Sequence, residues 1–156
     1  MNNEMSSLEK KLTETFELFL RADWRKKQTT SIRPSEVRVL LCVKNLSDQT
    51  DDGVSISDIS KRLAVTSPTV TQMVKQLIKF GYVESFNDPK DKRITLLRMT
   101  ESGKALAQKA LERYKILFSG LVEKLGEEQS ETLIDLLNQV YVYFNEFINI
   151  RGEFKE

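Results

Sequence analysis

Apolar residues return every three or four positions along most of this chain, and the interruptions are short and polar, so the pattern predicts a largely helical protein. A first amphipathic helix runs from Leu8 to about Lys27, with Leu8, Leu12, Phe16, Phe19 and Leu20 on its face. After the polar stretch Gln28–Arg33, Pro34 suits the first turn of a second helix through Val37, Leu40, Leu41 and Val43, and Ser47–Gly53 reads as a loop. Ser57 is placed to cap a short helix, Asp58–Leu63, that turns Ile59 and Leu63 inward. Ala64–Thr66 forms a turn, and Ser67-Pro68 opens the next helix as cap and first residue. That helix carries Val70, Met73, Val74 and Leu77 at i, i+3, i+4 and i+7 and stops at Gly81, where a left-handed residue is cheapest for glycine. Two short helices joined by a tight turn predict a helix-turn-helix.

The period then changes. Tyr82–Phe86 and Ile94–Met99 read as two strands around the polar turn Asn87–Arg93, which contains Asp88-Pro89, so a hairpin wing is expected. Thr100 caps a long helix with Leu106, Ala110, Leu111, Tyr114, Leu117, Phe118, Leu121 and Leu125 on one face, ended by Gly126. A last helix, from about Glu128 to Ile150, has two apolar stripes: Leu133, Leu136, Leu137, Val140 and Phe144, and Ile134, Tyr141 and Ile148. A helix apolar on two sides needs two partners, and in a chain this short a second subunit is the expected one. The fold class is therefore mainly α with a small β-hairpin wing (α+β). The expected division is an N-terminal dimerisation helix over 1–33, a winged helix-turn-helix over 34–100, and C-terminal dimerisation helices over 101–156.

Composition narrows the function. The 156 residues are 40% hydrophobic and 30% charged, with few glycines and prolines, which argues against disorder or a fibrous repeat. No apolar run approaches the roughly 20 residues of a membrane span, and the first residues lack the layout of a signal peptide, so a cytoplasmic protein is expected. One cysteine and no histidine leave no internal disulfide and none of the usual zinc, iron or nickel ligand sets. No metal, cofactor or catalytic constellation is expected, and an enzyme is the least favoured reading. Cys42 lies within the apolar run Val39–Val43 and reads as a small buried hydrophobe rather than a reactive thiol. The net charge of +1 hides a basic middle: residues 55–104 hold nine Lys/Arg against five Asp/Glu, whereas residues 105–156 hold six against nine.

In a helix-turn-helix the second helix enters the major groove. With Val70, Val74 and Leu77 inward, steps of about 100° per residue leave Pro68, Thr69, Gln72, Lys75, Gln76 and Lys79 outward or flanking, and Thr71 at the border. The glutamines suit adenine edges, the threonines phosphate or a thymine methyl, and the lysines phosphate or guanine. A merely solvated face would look similar for one helix alone, but the cap, the turn, the basic balance and the hairpin occur in the order a DNA reader needs. The wing tip Asp88-Pro89-Lys90-Asp91-Lys92-Arg93 suits a loop laid along phosphates, with Asp91 expected to brace Arg93. A winged-helix protein-interaction module is the competing reading, since this fold also serves for docking.

These motifs carry a resemblance. The stretch SDISKRLAVTSPTVTQMVKQLIKFGYVE, the wing DPKDKRITLLRMT and the helix opening TESG resemble the MarR family of bacterial regulators, the wing most specifically. The resemblance implies a homodimer with interleaved helices from both chain ends, holding two readers on a palindromic duplex operator as a transcriptional regulator, in the first instance a repressor. It places Ser67, Thr69, Thr71, Gln72 and Lys75 in the major groove, where the helix phase adds Gln76, and Lys90, Lys92 and Arg93 at the wing. Many relatives bind small aromatic molecules in a crevice between reader and dimerisation helices; here Phe16, Phe19, Trp24, Tyr114 and Phe118 are the aromatic candidates to line one. The family's oxidant-sensing branch uses a cysteine in the first helix, a region that here holds Phe16, Phe19 and Leu20.

Overall fold

The computed structural model describes residues 5–22 and 32–151, with side chains to residue 147. The chain divides into two compact units, residues 1–107 and 108–156, and each is described by itself.

The first unit opens with α1 (Ser7–Arg21), started by a capping box: Ser6 accepts from the Glu9 N–H and the Glu9 carboxylate accepts from the Ser6 N–H. The expected continuation to Lys27 lies outside the described residues, as does Trp24. No α1 residue is buried.

The helix α2 (Pro34–Ser47) supplies the centre of the core through Val37, Val39, Leu40 and Val43, all essentially inaccessible to solvent. Leu41, expected on the buried face, is only half-buried, while Val39 takes the interior position. Cys42 is buried too. Around this helix pack α3 (Ile56–Leu63) and α4 (Ser67–Lys79), which bury Ile59, Val70, Val74 and Leu77. Each such side chain removed from water contributes about 1.5–3 kcal/mol.

Two helix starts differ from the sequence expectation. The cap of α3 is Ser55, not Ser57: Ser55 Oγ accepts from the Asp58 N–H and Asp58 answers by accepting from the Ser55 N–H and Oγ–H, a reciprocal pair that Ser57, inside the first turn, cannot make. The N-cap position of α4 is Thr66, so Ser67 and Pro68 are the first two helical residues. Between them, α3 ends at Ala64, which adopts a left-handed conformation (φ +52°). The tight turn is closed by Ser60, whose hydroxyl donates to the Val65 carbonyl at 2.6 Å.

The wing strands are β2 (Val83–Asn87) and β3 (Thr95–Met99), antiparallel in the register Val83↔Met99 to Asn87↔Thr95. A third strand, β1 (Val54–Ser55), pairs with the other edge of β3, giving the order β1-β3-β2. Within the stretch expected to be loop followed by a short helix, two residues are too few to show an alternating pattern. The pairing exists because Val54 is drawn into the core opposite Leu97.

The exit of α4 is a Schellman cap: Gly81 (φ +75°) donates to the Ile78 carbonyl and Tyr82 to that of Leu77. The next helix, α5 (Glu101–Leu125), starts on the same turn. Thr100 Oγ caps Gly103 N–H, and Thr100 and Ser102 hydroxyls both donate to the Gly81 carbonyl. This packing is close enough that a Cβ on Gly103 would lie 1.9 Å from the Tyr82 carbonyl oxygen.

The second unit comprises the remainder of α5 and α6 (Glu127–Arg151), separated by Gly126 (φ +83°). No described side chain of α6 is buried, and Phe118, Leu121, Val122, Ile134, Leu137 and Tyr141 are all exposed.

Candidate nucleic-acid interface

Burial of Val70, Val74 and Leu77 fixes the rotation of α4, and the opposite face is set by it: Thr69, Gln72, Lys75, Gln76 and Lys79 are exposed. Ser67 and Pro68 are exposed at the first turn. The start of α4 has neither a side-chain cap nor an acidic residue in its first turn. The Thr66 hydroxyl instead shares a 2.9 Å hydrogen bond with that of Thr69. The amino end of the helix therefore keeps unfilled N–H donors and the positive end of the helix dipole. Thr71 is half-buried and its hydroxyl donates to the Ser67 carbonyl at 2.8 Å, so its proton is committed to the helix itself. Met73, expected in the core stripe, is half-buried at the border of the exposed face, because α2 covers only one side of α4.

The wing loop is held by its own side chains. Asp88 accepts from the Lys90 N–H, closing an Asx turn, and Asp88 N–H donates to the Ile94 carbonyl. Asp91 accepts from the Arg93 main chain at 3.1 Å and from its Nε and Nη2 at 3.0 Å each, a two-pronged pair that fixes the guanidinium. The same contacts hold the Asp91 carboxyl below the ordinary aspartate range and raise the Arg93 guanidinium still higher. Arg93 remains almost fully exposed (90%), and Lys90 and Lys92 are exposed on the same loop. At the base of the wing, Arg98 lies 4.0 Å over the Phe86 ring and pairs with Glu84 at 3.4 Å.

The arrangement is one helix presenting amide, hydroxyl and ammonium groups, beside a hairpin presenting an exposed guanidinium paired with Asp91. Comparison with known proteins agrees with it: residues 32–95 match the MarR family profile. The match runs from the residues just before α2 to the start of β3, the segment that carries the helix-turn-helix and the wing loop. The chain is similar to the HTH-type transcriptional regulator YdgJ of Bacillus subtilis, with 31% identity over 86 residues, 55% of this chain and 52% of that protein. The matched stretch thus spans about half the length of that relative. In fold it is similar to Streptococcus pneumoniae FabT in complex with DNA (TM-score 0.68, 21% identity, 90% of this chain and 96% of that one). It is equally similar to S. aureus MepR in a DNA complex (TM-score 0.68, 24% identity, 90% and 99%).

The aromatic residues named from the sequence fall in both units. Phe16 and Phe19 lie on α1 in the first, and Tyr114 stacks on Phe118 in the second with centroids 6.3 Å apart. Cys42 is pushed up from the usual thiol range by burial, with Arg62 opposing and Asp58 adding to the rise, so the thiolate that would react is scarce.

Sequence reasoning missed a groove of about 510 Å³ beside α4, lined by Arg33, Ser35, Glu36, Thr69, Gln72, Met73, Gln76 and Phe80. Its only signal was Glu36, three residues into a helix opened by Pro34, which reads as an ordinary first-turn acid. No helix among the described residues is long and apolar enough to cross a membrane.

Proposed function

We propose that this chain is a homodimeric, sequence-specific DNA-binding transcriptional regulator that represses by occupying a palindromic promoter site. The observation that carries the reading is the α4 face: Thr69, Gln72, Lys75 and Gln76 exposed together on a helix whose amino end is neither capped by a side chain nor blocked by an acid. Ser67 adds a first-turn hydroxyl, and Thr71, whose hydroxyl proton is given to the Ser67 carbonyl, offers its methyl and its oxygen as an acceptor at the edge of that face. Glutamine amides read adenine edges, while the helix amino end and Lys75 take phosphate. At the wing, Asp91 pre-pays the ordering of Arg93, which suits insertion into a narrow minor groove, with Lys90 and Lys92 along the backbone.

Dimerisation is supported by the apolar surface of the second unit, where Phe118, Leu121, Val122, Ile134, Leu137 and Tyr141 are exposed in the single chain. A surface that apolar calls for a partner. Two readers related by a two-fold axis match two half-sites, and a dimer seated on a promoter excludes other proteins from it. Relief by a small aromatic ligand, with Phe16, Phe19, Trp24, Tyr114 and Phe118 as its candidate lining, completes the reading. On this account the chain binds and does not catalyse.

The test is a fluorescence-anisotropy titration against duplex from the promoter region of its own gene and against scrambled duplex, each at two salt concentrations. Promoter preference with two subunits per site is the expected result, and affinity should fall steeply with salt. Lys75→Ala and Arg93→Ala should each cost about 1–3 kcal/mol of binding, and each phosphate contact removed should lower the salt slope by about 0.9. Binding without sequence preference at either salt would refute the reading and favour a protein-docking module.

A further inference from the structure

The groove between the start of α2 and the exposed flank of α4 has an uneven lining. Glu36 is its recessed group: the residue is 6% exposed, and among the described residues its carboxylate has one protein partner, the Arg33 N–H, which donates to Oε2 at 2.7 Å. No described buried side-chain oxygen lacks a partner, so the second Glu36 oxygen is reached from the groove that the residue lines. Nearby, Phe80 is 44% exposed, its ring tilted against that of Tyr82 with centroids 6.4 Å apart, and Met73 is half-buried, so the two give the groove an apolar and polarisable wall. Gln72, Gln76 and Thr69 complete the lining with amides and a hydroxyl. Arg33, the one cation of the lining, is exposed, so its charge is screened by water, whereas the field of a recessed carboxylate is screened less.

We propose that this groove is a binding site for small aromatic cations carrying N–H donors, of the amidinium or guanidinium type. The cation's N–H groups pair with the free Glu36 oxygen as a charge-assisted hydrogen bond. Its ring lies against Met73 and Phe80, where thioether–aromatic and ring–ring contacts are favourable. A volume of about 510 Å³ falls within the range of small-molecule sites. The site lies wholly within the first unit and uses none of the aromatics on α1 or α5. A ligand seated there covers Thr69, Gln72 and Gln76, so it competes with DNA; that consequence, unlike the binding itself, depends on the function proposed above.

Benzamidine is the probe, with neutral benzamide and anionic benzoate as isosteres, titrated into the full ¹⁵N-labelled chain. Benzamidine should bind at roughly millimolar Kd, as befits so small a ligand, and shift the Gln72 and Gln76 side-chain amides and the Phe80 and Met73 backbone signals. Benzamide should bind roughly tenfold weaker or worse, and Glu36→Gln, which keeps an acceptor for the Arg33 N–H, should remove the preference for the cation. Phe80→Ala, at an exposed position, should weaken all aromatic probes while the spectrum stays folded. Equal binding of the three probes, shifts confined elsewhere, or an unchanged preference in a folded Glu36→Gln would overturn the site. In a parallel arm benzamidine should displace promoter duplex; binding without displacement would leave the site standing and refute the placing of DNA on this face.

Discussion

Substituting Gly103 with alanine tests how α5 is seated on the turn that ends α4. The added Cβ would stand 1.9 Å from the Tyr82 carbonyl oxygen and 2.9 Å from its carbon, both backbone atoms that cannot rotate away. An acceptable carbon–oxygen contact is roughly 3.3 Å or more, so the helix start and the turn must separate by roughly 1.4 Å. That movement stretches the Thr100 N–H bond to the Tyr82 carbonyl, now 3.1 Å, and the Ser102 hydroxyl bond to the Gly81 carbonyl, now 2.9 Å. Overpacking costs about 1–3 kcal/mol and each weakened hydrogen bond about 0.5–1.5, against at most about 1 regained from the helix propensity of alanine. The net expectation is a loss of about 3 kcal/mol. For a chain of this size that lowers Tm by roughly 6–12 °C in scanning calorimetry, compared at one protein concentration. Gly120→Ala is the internal control: it lies in the same helix, and no described residue of the chain stands within 4 Å of the position its Cβ would take. It should be neutral or stabilising by up to about 1 kcal/mol. A Gly103→Ala protein melting within about 1 °C of the parent, or no lower than Gly120→Ala, would refute the close seating and the energies assigned to it.

Three further outcomes are expected. Gly81→Ala should cost about 1–2 kcal/mol, read as a lower urea midpoint at unchanged m, because its φ of +75° is unfavourable for a Cβ even though the space around it is open; Gly81→Asn should cost less. The Asp91 carboxyl, followed by carbon NMR, should titrate below the ordinary value of about 3.9, and Arg93→Ala should move it back toward that value without reaching it, because the main-chain N–H of residue 93 still donates to the carboxylate. Its folded-state value is depressed, so the wing pair is intact above that ordinary value and is lost as pH falls through the lower one; an unshifted midpoint would mean the pair does not persist in solution. The Cys42 thiol should react with iodoacetamide roughly a hundredfold slower in the native chain than in urea, since burial both shields it and raises its pKa; equal rates would show that α2 opens freely.

Much of the reader was legible from local chemistry. Pro68 near the start of α4, Gly81 beyond its end and the stripe Val70, Val74, Leu77 bound that helix and set its rotation, because helix-start and left-handed preferences act over a turn and the 3.6-residue period acts along one element. The wing was equally plain, since Asp88-Pro89 and the basic tip interrupt two short apolar strands. What needed the folded chain were the contacts between segments far apart in sequence. The strand Val54–Ser55 exists only because β3 offers an edge, and Ser55 displaces Ser57 as the cap because that pairing places it at the helix entrance. Gly103 reads as one more small residue until the Tyr82 carbonyl is set against it, 21 positions away in sequence. Glu36 reads as a solvated first-turn acid until α4 packs beside α2 and leaves its carboxylate at the floor of a groove. Periodicity and capping are properties of one segment and its immediate neighbours; burial and close approach are set by which segments meet, and that is decided only when the whole core closes.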